Sequence, residues 1–241
     1  IRNFLPSPLL EQLHHFIFHT SATLSYPKSL ISRDSSPDIL KTYLPELSSA
    51  LNSKRFIEIL TQRFTPFIST SLPHYQDALQ IEQPIHSVSH RIFTPTSKGL
   101  PYRKIRSAHI DDRRSVFNFL IYIRHPEDPS SGGGLKLYSY KKGFTGFSLF
   151  SGDSHSIKRS SIELSKEVPF EDNLFISVLN GINSVHDVAP LFNSSYPRST
   201  ISGTLSFPSC SLYNPYSYWQ PPIGYRFLRS ILSNLNLPVD H

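Results

Sequence analysis

The chain has 241 residues, of which 38% are hydrophobic, and its formal net charge is +6 at pH 7. This length suits a single domain with a sizeable core, and the apolar runs are far too short to span a bilayer. The single cysteine, Cys210, excludes an intrachain disulfide and is typical of a protein of the reducing cytoplasm. Because the sequence contains no methionine, we expect residues to precede Ile1.

The first part of the chain, residues 1–84, is predicted to be mostly helical. Ser7-Pro8 is a good pair of N-cap and first helical residue, and apolar residues at helical spacing follow it. A second helix is predicted to begin near Ser36, and Pro45 is expected to divide it, because proline lacks a backbone donor. The segment 53–65 predicts a further amphipathic helix. We expect these helices to support one face of a sheet.

From residue 85 to about 210 the pattern changes to short β-branched and aromatic runs with turn residues between them. The glycines 132–134 predict a tight turn with positive φ. The polar segment 151–172 is predicted to be a loop at the entrance of a site, and residues 211–241 a tail that ends in a helix over 224–235. About eight strands fit a mainly β fold with flanking helices (α+β), namely a double-stranded β-helix, a cupin-like jelly roll. They are predicted near 87–93, 102–110, 116–124, 134–140, 146–150, 173–179, 184–189 and 198–207.

Candidate metal ligands stand at His109 and Asp111. Two residues apart on an extended chain, their side chains point to the same face. A later strand-like run carries His186, and two histidines with one carboxylate form the set that holds Fe(II) with three positions open. Asp112 is a rival carboxylate, but it points to the other face of the strand. Arg198 opens the next strand-like run.

Over about residues 85 to 207 the chain resembles the Fe(II)/2-oxoglutarate-dependent dioxygenases, most closely their prolyl-hydroxylase-like branch. The opening IRNFLPSPLLEQL also looks like the usual entry of that family into its first helix. Several motifs in the family's order are more specific than any one of them. They are His109-x-Asp111, Tyr122-Ile123, Gly133-Gly134-Leu135, His186-x-Val188-x-Pro190 and Arg198.

The resemblance implies a role for each matching residue. His109, Asp111 and His186 would hold the iron, and Arg198 would bind the distal carboxylate of 2-oxoglutarate through a directional guanidinium–carboxylate pair. The phenol of Tyr122 would touch the same carboxylate, although a plain core role for Tyr122 stays open. Leu135 and Val188 match apolar positions that line the co-substrate. By alternation, Thr200 and Ser202 share the strand face of Arg198, so either hydroxyl is a candidate to assist it, and Asn118 shares the face of Tyr122. Arg106 departs from the family pattern, in which some relatives carry a Tyr at this position, so Arg106 and Asn118 are assigned as substrate contacts.

The activity implied by the resemblance is hydroxylation of an unactivated C–H with release of succinate and CO2, using Fe(II), 2-oxoglutarate and O2. The substrate would be a small molecule, a sugar derivative or a peptidyl residue. Relatives that halogenate lack the carboxylate that Asp111 provides. One alternative is a nucleic-acid or protein demethylase; the nucleic-acid enzymes carry a second Arg six residues after the anchoring one, where this chain has Thr204. Another is a non-enzymatic metal-binding jelly-roll module.

Part of the positive charge lies near the proposed site, and two interpretations of it stay open. It forms a solvated basic face, or it attracts an anionic substrate or 2-oxoglutarate itself. The absence of a stacking platform and of a binding motif argues against a nucleic-acid partner. The basic residues near the proposed site are Arg103, Lys104, Arg106, Arg113 and Arg114.

Four other histidines have no partner at metal-ligand spacing and are expected to be surface or structural residues: His86, His90, His125 and His155. His14-His15 lies in a predicted helix and is expected to be exposed.

Overall fold

The computed structural model describes residues 1–20, 37–93, 108–141, 147–148, 155–196 and 198–213. The predicted C-terminal helix, most of the predicted strand 102–110 and the basic residues Arg103, Lys104 and Arg106 lie outside these ranges. Within them the protein is mostly β-sheet with helices at the N-terminal end, as the sequence predicts.

The helices fall where the sequence predicts them, with three differences. The first helix has Pro6 instead of Ser7 as its N-cap, and no side-chain hydrogen bond caps it. Pro45 separates two short helices, as expected. The Ser53 side chain accepts a hydrogen bond from the Phe56 N–H at 3.2 Å and caps the next helix. That helix continues past its predicted end and through Pro66, because Leu60 and Ile68 bury its inner face. The helix over Tyr75–Ile81 is not predicted from the sequence. The bounds are α1 (Ser7–His15), continued by a π-helical turn (Phe16–Thr20), α2 (Pro37–Tyr43), α3 (Pro45–Leu51), α4 (Lys54–Ser71) and α5 (Tyr75–Ile81).

None of the helices in the described ranges is long and apolar enough to cross a membrane.

The strands of the described part of the chain form two antiparallel sheets and one small ribbon. The bounds are β1 (Ile85–Phe93), β2 (His109–Ile110), β3 (Ser115–Ile123), β4 (Ser131–Gly132), β5 (Leu135–Tyr140), β6 (Phe147–Ser148), β7 (His155–Ile157), β8 (Ile162–Val168), β9 (Leu174–Leu179), β10 (His186–Val188), β11 (Leu191–Phe192) and β12 (Arg198–Ser206). The major sheet has the order β1-β12-β3-β9, the minor sheet β6-β7-β2-β10-β5-β8, and the ribbon is β11-β4. Consecutive strands therefore pass repeatedly from one sheet to the other.

Alternation along β3 gives the major sheet two different faces. Phe117 and Phe119 point to the helices, where their rings pack 5.7 Å from Phe64 and 5.3 Å from Phe56. Gly203, opposite Phe119 on β12, leaves space for that ring, since a Cβ there would overlap it. The intervening residues of β3 point the other way, and a second apolar cluster around Tyr122 forms on that side. The helices therefore cover one face, and the other face is free to build a site.

The predicted entrance loop at 151–172 is wrong for the part that the structure describes. This segment holds β7, a short 3-10 turn at Arg159–Ser161, and β8, which pairs with β5 along the edge of the minor sheet. Glu163 to Glu167 are all exposed. Charged side chains on both sides of an edge strand protect it from pairing with other chains, and they also remove the apolar alternation by which strands are recognised.

Candidate metal centre

Two histidines meet at the pairing of β2 with β10. His109 lies directly opposite His186 in this antiparallel pair, so both side chains project from the same face of the minor sheet. Their ring centroids are 4.6 Å apart. His109 is 7% exposed and His186 is half-buried.

The Asp111 carboxylate completes this group. It follows β2 by one residue, and its Oδ1 lies 3.6 Å from Nε2 of His109 while its Oδ2 lies 3.5 Å from Nε2 of His186. The three side chains each offer one ligand atom, and these atoms lie within 4.8 Å of one another. The neighbouring carboxylate, Asp112, binds Arg114 at 2.6 Å instead. The structure thus brings together the three predicted ligands, in the donor set of an Fe(II) site.

Hydrogen bonds fix the orientation of His186. Its Nδ1 lies 2.8 Å from the Ser184 carbonyl oxygen, which only accepts, so Nδ1 carries the proton and Nε2 keeps its lone pair for a metal. The Ser184 hydroxyl donates to Asn180 Oδ1 at 2.9 Å, and the Asn180 amide donates to the Asp112 carbonyl at 2.7 Å. The loop before β10 is thereby tied to the segment that carries Asp111.

Asp111 is held from two sides. The Asn118 amide Nδ2 donates to its Oδ2 at 2.6 Å, and the Tyr213 hydroxyl donates to its backbone carbonyl at 3.0 Å. Burial, with a smaller contribution from the Asp111 carboxylate, raises the pKa of Tyr213, so this phenol stays a neutral donor. Asn118 is predicted from the sequence to contact substrate. In the structure its side chain is hydrogen-bonded to Asp111 and to Thr204.

Arg198 lies buried at the start of β12, with 4% of its surface exposed. Its Nε donates to the Gly133 carbonyl at 2.9 Å, and its guanidinium carbon lies 5.2 Å from the Tyr122 ring centroid and 5.3 Å from that of Phe170. Gly133 has φ 73°, as predicted for the glycine turn, and this conformation favours glycine. The turn therefore supplies the carbonyl that orients the guanidinium.

Tyr122 carries a buried hydroxyl that makes no hydrogen bond of good geometry within the described residues. Burial raises its pKa, and the Arg198 guanidinium partly offsets that effect through its charge and through its approach to the hydroxyl. An unsatisfied buried polar group is costly. A phenol beside a buried guanidinium fits a ligand that carries a carboxylate. Thr200 is also buried and lies directly opposite Tyr122.

The predicted apolar lining belongs to the same interior. Val188 lies directly opposite Leu135, and both stand two residues from the pair formed by His186 and Leu137, so they share its face. Leu135 is 3% exposed. The two apolar side chains therefore start from the face of the minor sheet that carries the histidines.

Two of the five basic residues near the proposed site, Arg113 and Arg114, lie in the described ranges. Arg106 lies outside the described residues. Arg114 is bound bidentately by the Asp112 carboxylate, so its charge is largely neutralised. Arg113 is exposed. The basic cluster thus contributes less free charge to the described surface than the sequence implies.

Sequence reasoning misses several residues around the site. Thr204 lies six residues after Arg198, and alternation along β12 by itself indicates that the two side chains share one strand face. Ser184, Asn180 and Tyr213 come from loops and from the segment after the last strand. No periodicity marks them, because their positions depend on how distant segments meet.

Comparison with known proteins places the fold. No family model matches the chain, and no curated protein matches it. A solved prolyl 4-hydroxylase from Phytophthora capsici aligns over 98% of this chain and 67% of its own, with a TM-score of 0.54 and 14% identity. The fold is therefore similar to that of a prolyl 4-hydroxylase, of the jelly-roll type, and it carries a candidate His-Asp-His triad.

Two other matches are weaker in geometry. A Pseudomonas putida prolyl-4-hydroxylase aligns over 87% of this chain and 91% of its own, at 17% identity and a TM-score of 0.40. A Trichoplax adhaerens prolyl hydroxylase, solved with a hypoxia inducible factor peptide fragment, aligns over 86% and 82%, at 14% identity and a TM-score of 0.42.

Proposed function

We propose that this chain is an Fe(II)- and 2-oxoglutarate-dependent dioxygenase that hydroxylates an unactivated C–H. The observation that carries the proposal is the meeting of His109, Asp111 and His186 at one face of the minor sheet, with a buried Arg198 beside the unpartnered Tyr122 hydroxyl. An iron ligand set and a carboxylate site in one interior are what this chemistry requires.

We also propose that the two sheets form a double-stranded β-helix. The major strands β1, β12, β3 and β9 and the minor strands β2, β10, β5 and β8 account for eight strands, and the chain passes between the two sets. In this arrangement the histidines come from the minor sheet, while Arg198 and Tyr122 come from the major sheet. The ion and the co-substrate anchor are then held by opposite walls of one barrel, within a single catalytic domain.

Each residue has a defined task in this proposal. His109, Asp111 and His186 hold the ion and leave three positions open for co-substrate and dioxygen. Arg198 binds the distal carboxylate of 2-oxoglutarate, with the Tyr122 hydroxyl as a second donor and Thr200 beside it. Bound Fe(II) supplies the redox chemistry by which O2 converts 2-oxoglutarate to succinate and CO2 and places one oxygen atom in the substrate C–H. The remaining lining residues are Leu135 and Val188.

The substrate is proposed to be a small molecule, a sugar derivative or a peptidyl residue, with a preference for an anionic one. Lys166 supports this preference. It pairs with Leu137 across the sheet, and Leu137 pairs with His186, so the Lys166 side chain starts from the same sheet face as that of His186. Arg113 adds an exposed cation. A demethylase of the second-arginine type is disfavoured, since Thr204 is hydrogen-bonded to Asn118.

Calorimetric titration of 2-oxoglutarate into protein loaded with Mn(II) tests the proposal. Mn(II) binds oxygen donors and stands next to Fe(II) in the order of affinities for such sites, and it does not react during the titration. We expect one binding site per chain, and weaker binding when the metal is removed with a chelator. Failure of 2-oxoglutarate to bind metal-loaded protein would reject the proposal and favour a metal-binding module without this activity.

A further inference from the structure

The side chain of Asn118 lies between Asp111 and Thr204, with a short hydrogen bond at each end. Its Nδ2 donates to Asp111 Oδ2 at 2.6 Å, and its Oδ1 accepts from the Thr204 hydroxyl at 2.6 Å. A carboxylate only accepts, so the amide must present its NH2 group to Asp111. Chemistry therefore fixes which end of the amide faces which partner.

This chain of contacts links the two sheets. Thr204 on β12 lies directly opposite Asn118 on β3, both in the major sheet. Asp111 follows β2 of the minor sheet, one residue beyond the last residue of that strand. Strand pairing therefore orients His109 but does not orient Asp111. The Asn118 amide supplies the orientation that strand pairing does not.

We propose that Asn118 and Thr204 are positioning residues that hold Asp111 as a ligand through one oxygen. The inference rests on the proposed function only in that Asp111 binds a metal. A carboxylate with both oxygens free rotates and can bind an ion through two atoms. An amide N–H on Oδ2 fixes the rotation and weakens that oxygen as a second donor. Two-oxygen binding would occupy a position that co-substrate or dioxygen needs.

Asn118 and Thr204 are neutral, so, unlike a charged partner, they orient Asp111 without cancelling its charge. Both are half-buried, which shields the two hydrogen bonds from competing water. The Thr204 hydroxyl acts indirectly, because it holds the Asn118 amide, which in turn holds the Asp111 carboxylate.

Mn(II) affinity, measured from the electron paramagnetic resonance signal of the free ion, tests this proposal. We expect Asn118→Leu, which keeps the size and removes the donor, to weaken Mn(II) binding by about 10- to 100-fold, the range typical of lost outer contacts to metal ligands. Thr204→Val should weaken it less, and Thr204→Ser should restore it. Thr61→Val is the matched control, because it deletes a hydroxyl that donates at 2.8 Å to Ile57 within α4.

The absorption spectrum of the Co(II)-loaded protein gives a second readout, because it reports the coordination of the ion. We expect a changed spectrum for Asn118→Leu and an unchanged one for Thr61→Val. Wild-type affinity and spectrum in Asn118→Leu and Thr204→Val would overturn the positioning role. If a thermal melt shows that Asn118→Leu is not folded, the Mn(II) affinities of Thr204→Val and Thr204→Ser decide whether the positioning role holds. A wild-type protein that binds neither ion would instead reject the proposed function.

Discussion

Nε2 of His186 lies 3.5 Å from Oδ2 of Asp111. The contact joins β10 to the residue that follows β2, two segments that are distant in sequence, and it leaves the imidazole and the carboxylate facing one point. We predict that His186→Ala and Asp111→Ala each abolish stoichiometric metal binding, because either change removes one of three donors. Metal content after gel filtration measures this. His15→Ala, at an exposed position of α1, should retain full content, and wild-type content in the two site variants would exclude the assignment.

Arg198 is predicted to serve the co-substrate and not the metal. Arg198→Ala should weaken 2-oxoglutarate binding by roughly 10- to 100-fold, since a charge-assisted hydrogen bond contributes about 1.5–3 kcal/mol and about 1.4 kcal/mol is a factor of ten. Arg198→Lys should recover only part of the loss, because a point charge does not reproduce the guanidinium fork. Calorimetry on Mn(II)-loaded variants measures both. Unchanged affinity in the alanine variant would reject the role.

Tyr122→Phe should have opposite effects on the free and the bound protein. The hydroxyl has no partner among the described residues, so its removal should leave the free protein as stable or more stable by about 1 kcal/mol. The same change should weaken 2-oxoglutarate binding. Urea unfolding and calorimetry on the same preparations provide the two values. A clear loss of stability with unchanged 2-oxoglutarate affinity would make Tyr122 a plain core residue.

His86 should make the fold sensitive to mild acid. Its two ring nitrogens are buried without a partner among the described residues, and burial lowers its pKa from 6.5 to about 4. Above pH 6.5 the imidazole is neutral in both states. Between pH 6.5 and about 4 the unfolded chain gains a proton that the folded chain does not, so stability falls as the pH falls.

His86→Phe should remove this part of the pH dependence, because phenylalanine does not titrate and packs beside Phe119, whose ring centroid is 6.0 Å from that of His86. Urea unfolding of wild type and variant at pH 7 and pH 5 gives the comparison. A wild type whose stability falls no more steeply than that of the variant would show that His86 is protonated in the fold.

The sequence alone predicts the site residues better than the arrangement that holds them. Alternation places His109 and Asp111 on one face, and the order of motifs indicates His186 and Arg198. These signals are local or depend only on order along the chain. The contact of Asn118 with Thr204 depends instead on the register of β3 against β12, which no local pattern encodes.

The predicted fold differs from the structure mainly in two elements, the edge strand β8 and the helix α4. β8 has charged residues on both faces and lacks the alternation that identifies a strand, so the sequence indicates a loop. α4 runs through Pro66 because packing of Leu60 and Ile68 outweighs the lost backbone hydrogen bond. In both cases tertiary contacts determine the secondary structure, although the local sequence favours a different one.

Conversion of 2-oxoglutarate to succinate tests the central claim most directly. Protein reconstituted with Fe(II) under nitrogen would be exposed to air with 2-oxoglutarate, and succinate would be followed by nuclear magnetic resonance with amino acids, peptides, sugars and phosphorylated sugars as candidate substrates. We predict slow succinate formation without substrate, faster formation with the right one, and none in Asp111→Ala. Absence of succinate from a protein that binds both Fe(II) and 2-oxoglutarate, or equal formation in Asp111→Ala, would contradict the assignment as a dioxygenase.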